Sequence, residues 1–163
     1  MNKEFDIFNA SVLIVDDQRV NVQLLEQLLA DGGYTRVSST MDPQEVCPLH
    51  EKNQYDLILL DLKMPVMDGF QVMEGLKSTC TASYLPVIVL TAEPGHKLRA
   101  LQAGAKDFIS KPFDVVEVKT RIYNMLEVRL LYKKLENYSK LLEIVAQQTN
   151  EELNSKNAES TLK

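Results

Sequence analysis

The chain has no apolar stretch approaching the roughly 18 residues that a membrane span needs, so no transmembrane anchor is expected. Its opening segment carries Lys3, Glu4 and Asp6 and lacks the apolar run of a signal peptide. Cysteine is scarce: Cys47 and Cys80 stand far apart with no C-x-x-C spacing. They read as reduced thiols, not as a disulfide or a metal pair, and the expected compartment is the cytoplasm. Positive charge is not in surplus. The formal net charge is −5, and an acidic chain repels phosphate backbones, which argues against direct nucleic-acid binding. What remains is an ordinary globular composition, 45% apolar and 25% charged over 163 residues. That length holds one full-sized domain and an appendage.

Short apolar runs alternate with helical patterns. Val12-Leu13-Ile14-Val15 ends in Asp16-Asp17. Val20, Leu24, Leu25, Leu28 and Leu29 then recur at helical spacing until Gly32-Gly33. Thr35 to Ser39 is a weak second strand, and Asp42-Pro43 has the form of a helix start. Leu57-Ile58-Leu59-Leu60 ends in Asp61, and Pro86 to Leu90 ends in Thr91. Phe70 to Lys77 and Lys97 to Ala103 read as helices. Asp107-Phe108-Ile109 is a brief fifth strand before Ser110-Lys111-Pro112. Continuously apolar strands separated by helices mean a parallel sheet covered on both faces. The expected fold is α/β: a (βα)5 doubly wound, five-stranded parallel sheet.

In such a sheet, ligands bind at the carboxyl ends of the strands, near a switch point in strand order. Asp16, Asp17 and Asp61 fall there. With the first and third strands adjacent, three carboxylates share one crevice, and their repulsion calls for a hard divalent cation. Mg2+ prefers oxygen ligands, takes few protein carboxylates and keeps several waters. Lys111 adds a positive charge, and an X-Pro bond after it is tolerated in the cis form. Thr91 adds a hydroxyl. Three acids, a metal, a lysine and a hydroxyl suit phosphoryl transfer, which depends mainly on positioning and charge neutralisation.

Asp16-Asp17, the run from Asp61 to Gly69 (DLKMPVMDG), Thr91-Ala92 and Lys111-Pro112 together resemble the receiver domain of two-component response regulators, over about residues 11–125. The resemblance implies the flavodoxin-like receiver fold and assigns roles. Asp61 would accept the phosphoryl group from a sensor histidine kinase or a histidine phosphotransfer protein. Asp17 and Asp61 would bind Mg2+ directly, with the backbone carbonyl of Lys63, and Asp16 through water. Lys111 would pair with Asp61 and then with the phosphate. Thr91 would hydrogen-bond a phosphate oxygen, and Phe108 would swing inward as the switch residue. Such a protein acts on no external substrate and catalyses only its own phosphorylation and slow dephosphorylation. Lys63 and Glu93 each lie two residues beyond a site residue, and they are expected to meet over the crevice and hinder the hydrolytic water.

Plainer readings stand beside these. Aspartates at strand ends also cap helices, a lysine is usually solvated, and Phe108 in a short strand is also explained as static core. Asp68-Gly69 reads as a turn and helix start. His50 and His96 have no partners at ligand spacing and read as surface residues. Two other functions compete. One is a phosphatase or phosphotransferase with an Asp nucleophile. Those enzymes resemble Asp-x-Asp-x-Thr after the first strand, with a cap, whereas this chain has Asp16-Asp17-Gln18. The other is a constitutive receiver-like dimerisation scaffold.

From Asp114 the helical pattern continues past the expected domain end. Val128, Leu131, Leu135, Tyr138, Leu142 and Val145 are spaced 3-4-3-4-3, a heptad seam. Residues 124–163 contain six basic and six acidic side chains, so they form no basic patch. The seam predicts a parallel two-stranded coiled coil that makes the protein a homodimer; a helix folded back on its own domain is the plainer reading. The extension resembles the signalling helices that join receivers to cyclic-dinucleotide enzymes, histidine kinases or other outputs, so a downstream output domain is a further expectation. The expected organisation is a lead-in over 1–10, a receiver over 11–125, an extended helix over 126–150 and a frayed or disordered tail over 151–163.

Overall fold

The computed structural model describes residues 6–79 and 84–162. Cys80 lies outside them. The elements alternate as expected: β1 (Ser11–Val15), α1 (Arg19–Asp31), β2 (Arg36–Thr40), α2 (Val46–Asn53), β3 (Leu57–Asp61), α3 (Gly69–Thr79), β4 (Val87–Thr91), α4 (His96–Gln102), β5 (Asp107–Ser110) and α5 (Val115–Thr161). All strand pairs are parallel, in the order β2-β1-β3-β4-β5. The chain reverses direction across the sheet between β1 and β3, which sets the switch point there.

Alternate residues of β1, β3 and β4 feed two separate cores. Val12, Ile14, Leu57, Leu59, Ile88, Leu90 and Ile109 pack with Leu25 and Leu29 of α1 and with Val118, Ile122 and Leu126 of α5. Leu13, Val15, Ile58, Leu60 and Val89 pack with Val46 of α2, Val72, Met73 and Leu76 of α3, and Ala100 of α4. This double burial is why β1, β3 and β4 are apolar at nearly every position.

The loop after β3 is fixed by a close approach. A Cβ on Gly69 would meet the Asp61 carbonyl oxygen at 2.6 Å and Leu62 Cα at 2.9 Å, so only glycine fits. Asp68 accepts from the Gln71 backbone N–H while its own N–H donates to Gln71 Oε1, each at 2.9 Å, a reciprocal cap on α3. The Asp68-Gly69 turn is therefore as expected. Asp42 likewise caps the short 3-10 turn Pro43–Glu45 that leads into α2.

Three features differ from the sequence reading. His50 is buried, not superficial: its Nδ1 accepts from the Tyr55 backbone N–H at 3.1 Å. The first compact unit ends at Leu130, past the boundary expected at 125, because Leu126 and Arg129 still bury their side chains. Residues 151–161 are helical where a frayed tail was expected. No Gly or Pro interrupts them, and Ser160 and Thr161 hydroxyls donate back to the carbonyls of Lys156 and Asn157, which leaves the helix intact. The second unit begins at Leu131. The seam residues Leu131, Leu135, Tyr138, Leu142 and Val145 are exposed, as is Val128 in the first unit.

Candidate functional site

The carboxyl ends of β3, β4 and β5 deliver Asp61, Thr91 and Lys111 to one crevice of about 250 Å3, which Lys63, Glu93 and His96 also line, and the end of β1 sets Asp16 buried behind it, against Lys111. Register explains the convergence. Val15 pairs with Leu60, so Asp16 and Asp61 emerge side by side, and Thr91 pairs with Ser110, which puts Lys111 next to Thr91 across the sheet. Asp16, Asp61 and Thr91 are buried, while Asp17 is half-buried.

Asp16 is held in place. It accepts from the Gln18 backbone N–H at 2.9 Å and from Asn21 Nδ2 at 3.2 and 3.1 Å. Asn21 escaped the sequence reading; its signal was a polar residue in the first turn of α1, five positions after the acid. Lys111 Nζ lies 2.8 Å from Asp16 Oδ2 and 3.2 Å from Asp61 Oδ1, so its nearer partner is Asp16. The Lys111–Pro112 peptide is cis. The Thr91 hydroxyl accepts from the Glu93 backbone N–H at 3.0 Å and donates to the Glu93 carbonyl at 3.2 Å.

The charges do not balance. Asp16, Asp17 and Asp61 each present an oxygen within 4.8 Å of the others, and Lys111 is the cation bonded to that cluster. Burial pushes the Asp61 carboxyl up to about 6; the Lys111 charge opposes this and the Asp16 charge adds to it. Burial acts to lower the Lys111 ammonium, but its hydrogen bond to Asp16 and the charge of Asp61 outweigh that and raise it. Asp17 Oδ1 is buried with no hydrogen-bond partner among the described residues. A carboxylate oxygen left without a donor beside two more carboxylates is an unmet demand for positive charge, and three hard oxygen donors fit Mg2+.

Other expected residues lie close by. Lys63 Nζ meets Glu93 Oε1 at 3.0 Å, as the spacing implied, and the Lys63 backbone N–H points at Asp61 Oδ1 at 3.4 Å. Glu93 Oε2 lies 3.2 Å from His96 Nε2, a partner for His96 that the sequence reading missed. The Lys63 hydrogen bond holds the Glu93 carboxyl below its usual value. Phe108 is half-buried on β5, with Lys97 Nζ 4.5 Å and Arg121 Cζ 5.4 Å from its ring.

This arrangement can be compared with known proteins. The model of the response regulator receiver domain matches residues 12–123. The chain belongs to the response regulator receiver family. The receiver is 37% identical over 129 residues to Response regulator PleD of Caulobacter vibrioides, covering 78% of this chain and 28% of that protein. It is 29% identical to Chemotaxis protein CheY-3 of Vibrio cholerae, covering 73% of this chain and 93% of the other. Among solved structures, the receiver domain of sensor histidine kinase PA1611 from Pseudomonas aeruginosa, which has a magnesium ion coordinated in its active site cleft, superposes with a TM-score of 0.67 at 30% identity. That superposition covers 73% of this chain and 98% of the other. The chain spans less than half of several curated relatives it matches, PleD among them. The expected receiver fold with a long C-terminal helix is therefore what the chain has. No helix of the described residues is long and apolar enough to cross a membrane.

Proposed function

We propose that this receiver takes a phosphoryl group onto Asp61 from the phosphohistidine of a sensor histidine kinase or phosphotransfer protein. The observation that carries the reading is the buried Asp61 carboxylate, set beside Lys111 and within a cluster of acids that holds an unpartnered oxygen. A carboxylate oxygen of Asp61 forms the new bond to phosphorus as the donor nitrogen–phosphorus bond breaks and the imidazole leaves. Asp17 and Asp61, with the Lys63 carbonyl, would hold Mg2+ directly, and Asp16 through water. Bound there, the ion would neutralise charge on the phosphoryl oxygens. Lys111 would neutralise the same charge from the other side. Thr91 would leave its Glu93 backbone contacts to donate to a phosphate oxygen, and Phe108 would then turn inward. That shift in population between two packings is the signal.

The output lies in α5. Its exposed seam of Val128, Leu131, Leu135, Tyr138, Leu142 and Val145 supports a parallel coiled coil between two copies, and through it a homodimer. In a longer protein the same helix would pass the signal to a downstream domain. The receiver domain itself occupies 11–125 on this reading, with the last turn to Leu130 as its anchor. The protein works as a cytoplasmic switch and has no external substrate.

Incubation with Mg2+ and acetyl phosphate, beside Asp61→Asn, tests both parts when intact mass and light-scattering mass are read together. One added phosphoryl group in the wild type and none in the variant is the expected result. A wild type that gains none, from acetyl phosphate or a phosphohistidine donor, overturns the phosphoacceptor. A monomeric mass in both states overturns the coiled coil.

A further inference from the structure

The buried stripe of α5 runs through Val118, Ile122 and Leu126 and ends on Arg129, an ionic residue where the spacing calls for another apolar one. Arg129 reaches two places at the amino end of the sheet. Its Nε lies 3.6 Å from Oδ1 of Asp56, just before β3, and Asp56 is itself tied to Ser11 at the start of β1. Its Nη1 donates to the Tyr84 carbonyl, in the lead-in to β4. Met125, one turn earlier on α5, accepts from the Tyr84 hydroxyl at 3.9 Å, so the helix holds Tyr84 at both ends. Arg129 is 6% exposed, whereas Val128 beside it is 40% exposed.

Stability alone does not call for a buried ion pair, because apolar side chains of similar volume often serve as well or better. What an apolar rung lacks is direction. A methionine or leucine still packs after a small roll of the helix. A guanidinium with a carboxylate at one edge and a carbonyl at the other has one seating. An α-helix turns about 100° per residue, so Arg129 points about 100° away from Val128 and about 160° away from Leu131. Val128 and Leu131 open the heptad seam. Seating Arg129 on the sheet therefore turns the first seam position out to solvent.

We propose that Arg129 is a positioning residue for self-association: its buried contacts with Asp56 and the Tyr84 carbonyl fix the rotation of α5, so that the seam starts outward at Val128, open to a second copy of the chain. The inference rests on the coiled-coil reading of α5 and names the residue that sets it. Without those contacts the last turn of α5 in the first unit can roll Val128 inward, and only part of the population offers a complete seam. Both copies must be competent to pair, so a competent fraction of about one third weakens the dimer about tenfold. Arg129 sits at the amino end of the sheet and Asp61 at the carboxyl end, so the phosphoryl chemistry is left alone.

The test uses the full chain. Sedimentation equilibrium gives the dimer dissociation constant, urea unfolding the stability, circular dichroism the helix content, and intact mass after acetyl phosphate the loading of Asp61. Arg129→Met/Asp56→Asn replaces the pair and strands no charge. Its dimer is expected to be about tenfold weaker, with helix content and loading as in wild type. Arg129→Lys keeps the charge but cannot reach both partners, and a weakening of about threefold is expected. Ile122→Val trims the same buried stripe without touching the pair. It should lower the urea midpoint and leave the dimer constant unchanged. A double variant that dimerises as wild type overturns the proposal; if it does not fold, Arg129→Lys decides in the same way. Ile122→Val weakening the dimer as much as the double variant also overturns it, because Arg129 is then one packing residue among others. Leu135→Lys tests the seam itself. A monomeric wild type, or a dimer indifferent to Leu135→Lys, sinks the coiled coil and this inference with it. A dimer broken by Leu135→Lys but equal in wild type and the Arg129 variants sinks this inference alone.

Discussion

The two ends of the sheet bury the same ingredients, a carboxylate and a cation, and arrange them to opposite effect. At the amino end, Asp56 stands just before β3 and accepts from the Ser11 backbone N–H at 2.9 Å and the Ser11 hydroxyl at 3.2 Å. Arg129 of α5 faces it, with Nε 3.6 Å from Asp56 Oδ1, and donates to the Tyr84 carbonyl. There one acid meets one base, and Ser11 gives the acid two donors on Oδ2. At the carboxyl end, three acids share one lysine, one oxygen has no donor, and the group opens into a crevice. A balanced buried pair fixes structure. An unbalanced one beside open space is poised to bind a cation and a phosphoryl group.

The largest effect expected from this contrast is at Lys111. Lys111→Ala removes the positive charge beside Asp61, the proposed acceptor, and phosphorylation by acetyl phosphate at saturating Mg2+ should fall on the order of 100-fold, the scale of losing one preorganised charge partner. The fold should persist, because the change relieves no packing and leaves Asp16 bonded to Gln18 and Asn21. Near-normal single-turnover rates in this variant would mean that Lys111 serves only to tie the sheet edge.

Arg129→Ala attacks the other end. It removes the buried ion-pair partner of Asp56, and breaking such a pair costs about 3 kcal/mol. Urea unfolding should show that loss, while the rate of Asp61 phosphorylation in the folded fraction stays as in wild type. A variant as stable as wild type would show that Ser11 alone satisfies Asp56.

Asp61→Asn should do the reverse. The folded carboxyl is raised to about 6, well above its unfolded value of 3.8, so folding disfavours its ionised form. The penalty is absent below the unfolded value, grows between the two values and is complete above about 6. In metal-free buffer at pH 8 the variant should be more stable by roughly 3 kcal/mol. Mg2+ should stabilise the wild type and narrow the gap. If wild type and variant unfold at the same urea concentration without metal, the strain assigned to the acidic cluster is absent.

The carboxyl end was far more legible in the sequence than the amino end. Asp16, Asp17, Asp61, Thr91 and Lys111 each follow or end a strand whose apolar run marks its direction, so strand order alone brings them together. The Lys63–Glu93 contact followed from equal offsets past two of those ends. His50, Asp56 and Arg129 gave no such sign. His50 sits on α2, Asp56 just before β3 and Arg129 on α5, and their proximity depends on how α5 crosses the sheet, which no local pattern encodes. Asn21 and His96 were hidden for a related reason. Each is one polar residue among several in the first turn of a helix, and its partner becomes evident only when the loops are in place. The tail was misread because its many polar residues suggested fraying, whereas the absence of Gly and Pro was the stronger signal.

The smallest expected effect is a pH dependence confined to the amino end. Burial, reinforced by the Arg129 charge, pushes the His50 imidazole below its usual value, against weaker opposing effects of Asp56 and Glu51. Its Nδ1 accepts from Tyr55, so a proton there would remove the hydrogen bond as well as add a charge near Arg129. Above about pH 6.5 the imidazole is neutral both folded and unfolded, and the contribution is constant. As pH falls below that value the unfolded chain takes up the proton first, so stability falls with pH. His50→Asn keeps an acceptor for Tyr55 but cannot titrate. It should cost about 1 kcal/mol at pH 8, and the gap to wild type should shrink by pH 5.5 as the wild type alone pays for protonation. A gap that stays constant across that range would show that His50 is not held neutral.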